Sequence, residues 1–178
     1  MTRLHTAPVA DATGSAAQLF AAIKASAGMV PQAYIDIGSN SPAALEAALH
    51  LDAALRRGTL PAQDAEIVKL VVSEINRCDY CLAAHTLLGK KTGLTAARIL
   101  AIRHGLDTGD ARIDALAAFV RQLAGSSGTL PAHALAAIQA AGYSDAQIVD
   151  IVLAMTAISL TNLFNRVNDT AIDFPPAD

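Results

Sequence analysis

The chain has two cysteines, Cys78 and Cys81, in a C-x-x-C spacing, and His85 follows four residues after the second. On a helix beginning near Cys78, the three side chains fall on one face about a turn apart. Such a stripe suits redox chemistry. A thiol at neutral pH is mostly protonated and a weak nucleophile, and the unpaired N–H groups of a helix N-terminus favour its thiolate. An imidazole within reach can take the proton directly or through one water. A second thiol one turn away can attack the sulfenic acid left when the first is oxidised, closing a short disulfide that a partner must then reduce. Helix-terminus electrostatics favour Cys78 as the more acidic thiol, whereas the imidazole four residues on favours Cys81.

The same residues admit blander readings. A structural zinc would take Cys78, Cys81 and His85, but no second cysteine pair supplies a fourth ligand, so no metal is expected. A c-type haem needs His directly after the second cysteine, where Leu82 stands. Two inert buried thiols would pack as small hydrophobes, which leaves their shared face with His85 unexplained. Glu66 belongs to the preceding helix, and spacing alone does not bring it to the sulfurs. Tyr80 points off the stripe, as wall or proton donor. Arg77 stands beside Cys78, where it either helps hold a thiolate or is solvated at its helix end. His5 is expected in a mobile N-terminus, and His50, His104 and His133 near helix ends; all four read as structural. Asn162, Asn165, Arg166, Asn168 and Asp169 form a polar run in a long apolar helix. That run suits a cavity lining, a subunit interface or the wet end of the helix.

The elements that must position these groups are helical throughout, with no convincing period-two alternation. Helices are expected over about 15–27, 41–57, 61–76, 78–92, 96–104, 110–124 and 131–140. A long one starts at Ser144, with Gln147 three residues on completing a capping box. Ser41 before Pro42 is a good N-terminal signal. The segment 28–41 reads as an irregular connection with one short helix after Pro31. The string GTLPA occurs at 58–62 and 128–132, with Gly to end one helix, Thr as a cap and Pro in the next first turn. Residues 64–68 and 145–149 also align without a gap, which similar helix starts or an old duplication would equally produce.

The whole chain is 178 residues with 53 % hydrophobic and 4 % aromatic content, no Trp and a net charge of −3. That composition excludes a disordered protein and is expected to build a single all-α domain over 1–178. Neither a basic stripe nor stacking aromatics are present, so no nucleic acid is expected. The N-terminus lacks a signal-peptide apolar run. The uncharged stretch between Asp150 and Arg166 falls short of the roughly 20 residues that span a bilayer and reads as a buried helix. A cytoplasmic location, no membrane and no standing disulfide are therefore expected. A chain this apolar is also expected to form a homo-oligomer.

The segment carrying Glu66, Cys78, Tyr80, Cys81, Ala84, His85 and Thr86 resembles the alkylhydroperoxidase D group of the carboxymuconolactone decarboxylase superfamily. It is most similar to the peroxidase-related branch, with its E…C-x-Y-C-x-x-x-H pattern. The likeness extends over about 41–175 and includes the ending from Asn165 to Pro175. The resemblance implies an alkylhydroperoxidase D-like helical bundle, assembled as a homotrimer or homohexamer with sites near subunit interfaces. It implies that Cys81 is oxidised to sulfenic acid, that Cys78 is proton donor and resolving thiol, and that Glu66 and His85 form a proton relay. Tyr80 stands where the well-studied hydroperoxidases carry a second histidine. With a pKa of about 10, a Tyr is a poor base, which implies weak peroxidase activity or another oxidant.

The expected function is a thiol-dependent peroxidase that reduces hydroperoxides through a Cys78–Cys81 dithiol/disulfide cycle. It would need no organic cofactor or metal, only an external dithiol or disulfide-reductase partner. The alternatives are a lyase or decarboxylase on the same fold, with dispensable cysteines, and a non-enzymatic redox sensor.

Overall fold

Helix-stopping and helix-starting residues divide the chain where the sequence places them. A computed structural model describes residues 2–177, and among these all regular structure is helical. After a short 3-10 turn at Val9–Asp11 come α1 (Gly14–Ala27), α2 (Gln32–Asn40), α3 (Pro42–Arg57), α4 (Ala62–Ile75) and α5 (Asp79–Lys91). The chain continues through α6 (Ala96–His104), α7 (Ala111–Gly125), α8 (Ala132–Ala140) and α9 (Asp145–Asn168). The all-α class holds. Ser41 caps α3 with Pro42 in its first turn, and Ser144 and Gln147 form the capping box of α9.

Helix α4 is the hub, packed on α5, α6, α7 and α9. It is buried on nearly every side, which is why Ile67, Val68, Leu70 and Val71 follow one another almost without a polar break. These residues share the main core with Leu116 and Val120 of α7 and Ile151 and Ile158 of α9. A second cluster of Phe20, Ile23, Ile37 and Leu45 joins α1, α2 and α3.

The joint between α4 and α5 fixes the motif. The Arg77 N–H donates to the Glu74 carbonyl and the Cys78 N–H to that of Ser73, closing α4 in a Schellman-type turn. Arg77 takes the left-handed conformation at φ 52°, where Gly is commoner. The next residue, Cys78, is already the N-cap of α5.

The short helix expected after Pro31 is α2, and Asp173 from the C-terminal tail accepts the Gln32 N–H at its start at 2.7 Å. Several expectations need correcting. Thr59 does not cap α4. Its N–H and hydroxyl both donate to Asp150, as does the Leu60 N–H, so a carboxylate of α9 organises that loop. The N-terminus is pinned rather than loose: Arg3 and Leu4 donate backbone N–H groups to Asn168, and the His5 carbonyl accepts from Asn40. His50 lies mid-helix in α3 and is exposed.

Helix α9 differs most from its expectation. It runs 24 residues, long and apolar enough to cross a membrane by length and composition, so the length argument does not hold. Only one face is buried, and Val149, Val152, Leu163 and Val167 are exposed. The likeness between 64–68 and 145–149 stops at their shared amphipathic start, since α4 breaks at Asn76 where α9 runs straight on.

Candidate active site

As its N-cap, Cys78 presents its sulfur to the first turn of α5, and the Cys81 N–H donates to it at 3.4 Å. Both cysteines are free thiols, 2 % and 3 % exposed. The sulfurs lie within hydrogen-bonding reach of each other. Cys81 also accepts a hydrogen bond from the Asn165 side-chain N–H of α9 at 3.3 Å.

This arrangement separates the two thiols electrostatically. The Cys81 thiol is pulled down, first by its hydrogen bond from Cys78, then by the Asn165 donor and the nearby His85, all against the opposing effect of burial. The Cys78 thiol is pushed far up by the same hydrogen bond and by burial. A pair shares one charge, and here it settles on Cys81. That choice goes against helix-terminus position alone: the Cys81 N–H favours a Cys78 thiolate, but the hydrogen bond that Cys78 shares with Cys81 and burial outweigh it.

Glu66 and His85 come together across the α4–α5 joint, with Glu66 Oε2 at 2.7 Å from His85 Nδ1. Burial pushes the Glu66 carboxyl up, but the adjacent His85 and then Lys69 outweigh it and hold it below the usual range. Glu66 and His85 thus meet each other, and His85 stands near enough to Cys81 to favour its thiolate.

Tyr80 takes a different direction. Its hydroxyl accepts the Ala33 N–H of α2 at 3.1 Å, and its ring stands edge-on to Phe174. Burial first, and Asp173 after it, push its phenol above the ordinary value, so it stays protonated at neutral pH. Tyr80 anchors α2 and the C-terminal tail beside the dithiol.

Sequence reasoning left the Asn residues of α9 unranked. At spacing three they share the buried face. Asn162 bridges Asn76 and Ser73, Asn165 reaches Cys81, and Asn168 donates to Asp36 and Thr170. Their period within an apolar helix was the available signal. A cavity of about 140 Å³ opens on the Cys78 side, lined among others by Arg77, Cys78, Tyr80, Asn165, Arg166 and Thr170. Arg77 is therefore at the cavity wall. His104 and His133 are exposed, at the end of α6 and the start of α8. Among the described residues, no three His, Cys, Asp or Glu side chains converge as metal ligands.

The scaffold is all-helical, of the alkylhydroperoxidase D-like fold, and sets a C-x-x-C at the start of one helix near a Glu–His pair. Residues 42–122, a little under half of the chain, match the model of the carboxymuconolactone decarboxylase family. A peroxidase-related protein with an alkylhydroperoxidase AhpD core from Ralstonia eutropha JMP134 superposes with a TM-score of 0.84. The two are 18 % identical over 97 % of this chain and 92 % of that one. A peroxidase-related protein from Silicibacter sp. TM1040 gives 0.76 at 23 % identity, over 96 % and 94 % of the two chains. The debrominase Bmp8, carrying a Cys-to-Ala substitution and bound to 2,3,4-tribromopyrrole, gives 0.79 at 17 % identity, over 97 % and 92 %. At these identities the likeness is one of fold. Among curated proteins nothing matches the chain.

Proposed function

We propose that this protein is a thiol-dependent peroxidase that reduces hydroperoxides through a Cys78–Cys81 dithiol/disulfide cycle. The observation that carries this reading is the asymmetry of the sulfur pair: Cys81 accepts from Asn165 while Cys78 is held as a thiol beside it.

The Cys81 proton passes to the His85–Glu66 pair, and the thiolate attacks an oxygen of the hydroperoxide. A sulfur–oxygen bond forms, the O–O bond breaks, and the leaving alkoxide takes the proton back as an alcohol. The Cys78 thiol then attacks the Cys81 sulfenic acid. The disulfide forms, the S–O bond breaks, and water leaves with the Cys78 proton. An external dithiol returns two electrons and two protons by thiol–disulfide exchange. Tyr80 contributes position rather than basicity. The cycle would run in the cytoplasm, in a homotrimer or homohexamer, with no metal or organic cofactor.

The test is peroxide consumption under excess dithiol for wild type, Cys78→Ser, Cys81→Ser and His85→Ala. Both cysteine variants should lose turnover, and His85→Ala should fall by roughly 10²-fold or more, the scale of one acid–base group. Full activity in either cysteine variant overturns the dithiol cycle and favours a lyase. The same panel with 2,3,4-tribromopyrrole, scored by bromide release, separates a peroxidase from a dehalogenase, the activity named for Bmp8 of the same fold.

A further inference from the structure

A row of ionisable side chains continues beyond Glu66, away from the sulfurs. Lys69, one turn further along α4, places Nζ 3.9 Å from Glu66 Oε1 and 3.1 Å from Asp52 Oδ1 of α3. The second oxygen of Asp52 accepts the Tyr34 hydroxyl of α2 at 3.2 Å. The row is largely buried, with side-chain exposures of 11 % for Glu66, 12 % for Lys69, 13 % for His85 and 22 % for Asp52. A separate cavity of about 40 Å³ lies against it, lined by Tyr34, Asp52, Lys69 and His85 and closed by Ala157 and Ile158 of α9. A space of that size holds one or two waters, and its ionisable walls give them partners.

We infer that Lys69, held in place by Asp52, is a positioning residue that keeps Glu66 ionised for the Glu66–His85 pair, and that the adjoining cavity is the pair's water site. The inference rests on the peroxidase reading for its use in turnover, but not for the charge state itself. Burial and the Asp52 carboxylate both push Glu66 toward its neutral form; His85 opposes them first, and Lys69 adds a cation 3.9 Å away on the other carboxylate oxygen. The other groups facing this region are Tyr34 from α2, Asp52 and Arg56 from α3, and Cys78 and Cys81 beside His85 on α5. The α9 wall adds Ala157, Ile158 and Thr161 and no charge. Removing Lys69 leaves His85 to hold Glu66 ionised against burial and Asp52, so the Glu66 carboxyl takes a proton at a higher pH than in wild type. A protonated Glu66 cannot stabilise the imidazolium that His85 becomes on accepting the Cys81 proton.

The experiment compares wild type, Lys69→Met and Lys69→Arg by two readouts. Infrared titration follows the protonated-carboxyl stretch, assigned to Glu66 by its disappearance in Lys69→Met/Glu66→Gln. The band should grow in at a pH about one unit higher in Lys69→Met than in wild type, and Lys69→Arg should restore the wild-type midpoint. The acid limb of the peroxidase kcat/KM profile should move up by the same interval. An unmoved band overturns the role given to Lys69, whether or not the protein turns over peroxide. A moved band with no peroxide turnover in wild type overturns the peroxidase reading and leaves the charge-setting role standing. Should Lys69→Met fail to fold, Asp52→Asn/Lys69→Met removes both buried charges, and a smaller upward shift is expected.

Discussion

At the scale of single residues, the acidity of Cys81 comes from groups that are distant in the chain. Asn165 is 84 positions away, yet its side-chain N–H reaches the sulfur at 3.3 Å. Replacing Asn165 with Leu removes a donor to the thiolate, so the pH midpoint for alkylation of Cys81 by iodoacetamide should rise by about one unit. Peptide mass spectrometry of the labelled chain distinguishes Cys81 from Cys78. The same shift has a sign for stability. A thiol whose folded pKa is lowered adds stability that is complete above the free value of about 8.5 and is lost as pH falls through the folded value. Spacing alone made Cys78, Cys81 and His85 legible as one stripe. Glu66 was legible only through the family resemblance, because its contact depends on how α4 turns into α5. Asn165 was visible as a polar residue in an apolar helix, but its target was not.

At the scale of elements, the site depends on closely packed joints. The α4–α5 connection uses Arg77 in the left-handed region and the Cys78 N-cap to reverse the chain within three residues. Helix α2 supplies the Ala33 N–H to Tyr80 and Tyr34 to Asp52, so its seating matters to both sides of the relay. That seating requires a glycine. A Cβ on Gly38 would stand 2.6 Å from the Phe20 ring and 2.8 Å from Leu45, both fully buried. Gly38→Ala should therefore cost about 1–3 kcal/mol in chemical unfolding, as overpacked cores do. An unchanged midpoint would mean that α1 and α3 yield more easily than this packing indicates. Most helix limits were readable from Gly, Pro and capping residues. Helix α2 was legible from Pro31, but its partner Asp173 was not, because it comes from the far end of the chain.

At the scale of the whole molecule, α9 divides its labour between two faces. One carries Asn162, Asn165 and Asn168 into contacts with α2, α4 and α5. The other leaves Val149, Val152, Leu163 and Val167 between 46 % and 67 % exposed at helical spacing. We propose that a stripe of that kind seats against a second copy of the chain. Leu163→Asp/Val167→Asp should convert the oligomer to smaller species in size-exclusion chromatography with light scattering, with helix content retained in circular dichroism. A monomeric wild type would refute the assembly.

The sequence by itself determined the helical class, most of the helix limits and the redox-capable stripe, because these follow from neighbours within a turn or two. Only the tertiary structure decided which thiol carries the charge, what Glu66 faces and which side of α9 is left open. Those outcomes depend on hydrogen bonds and burial between groups far apart in the chain, and local spacing holds no information about which helices meet.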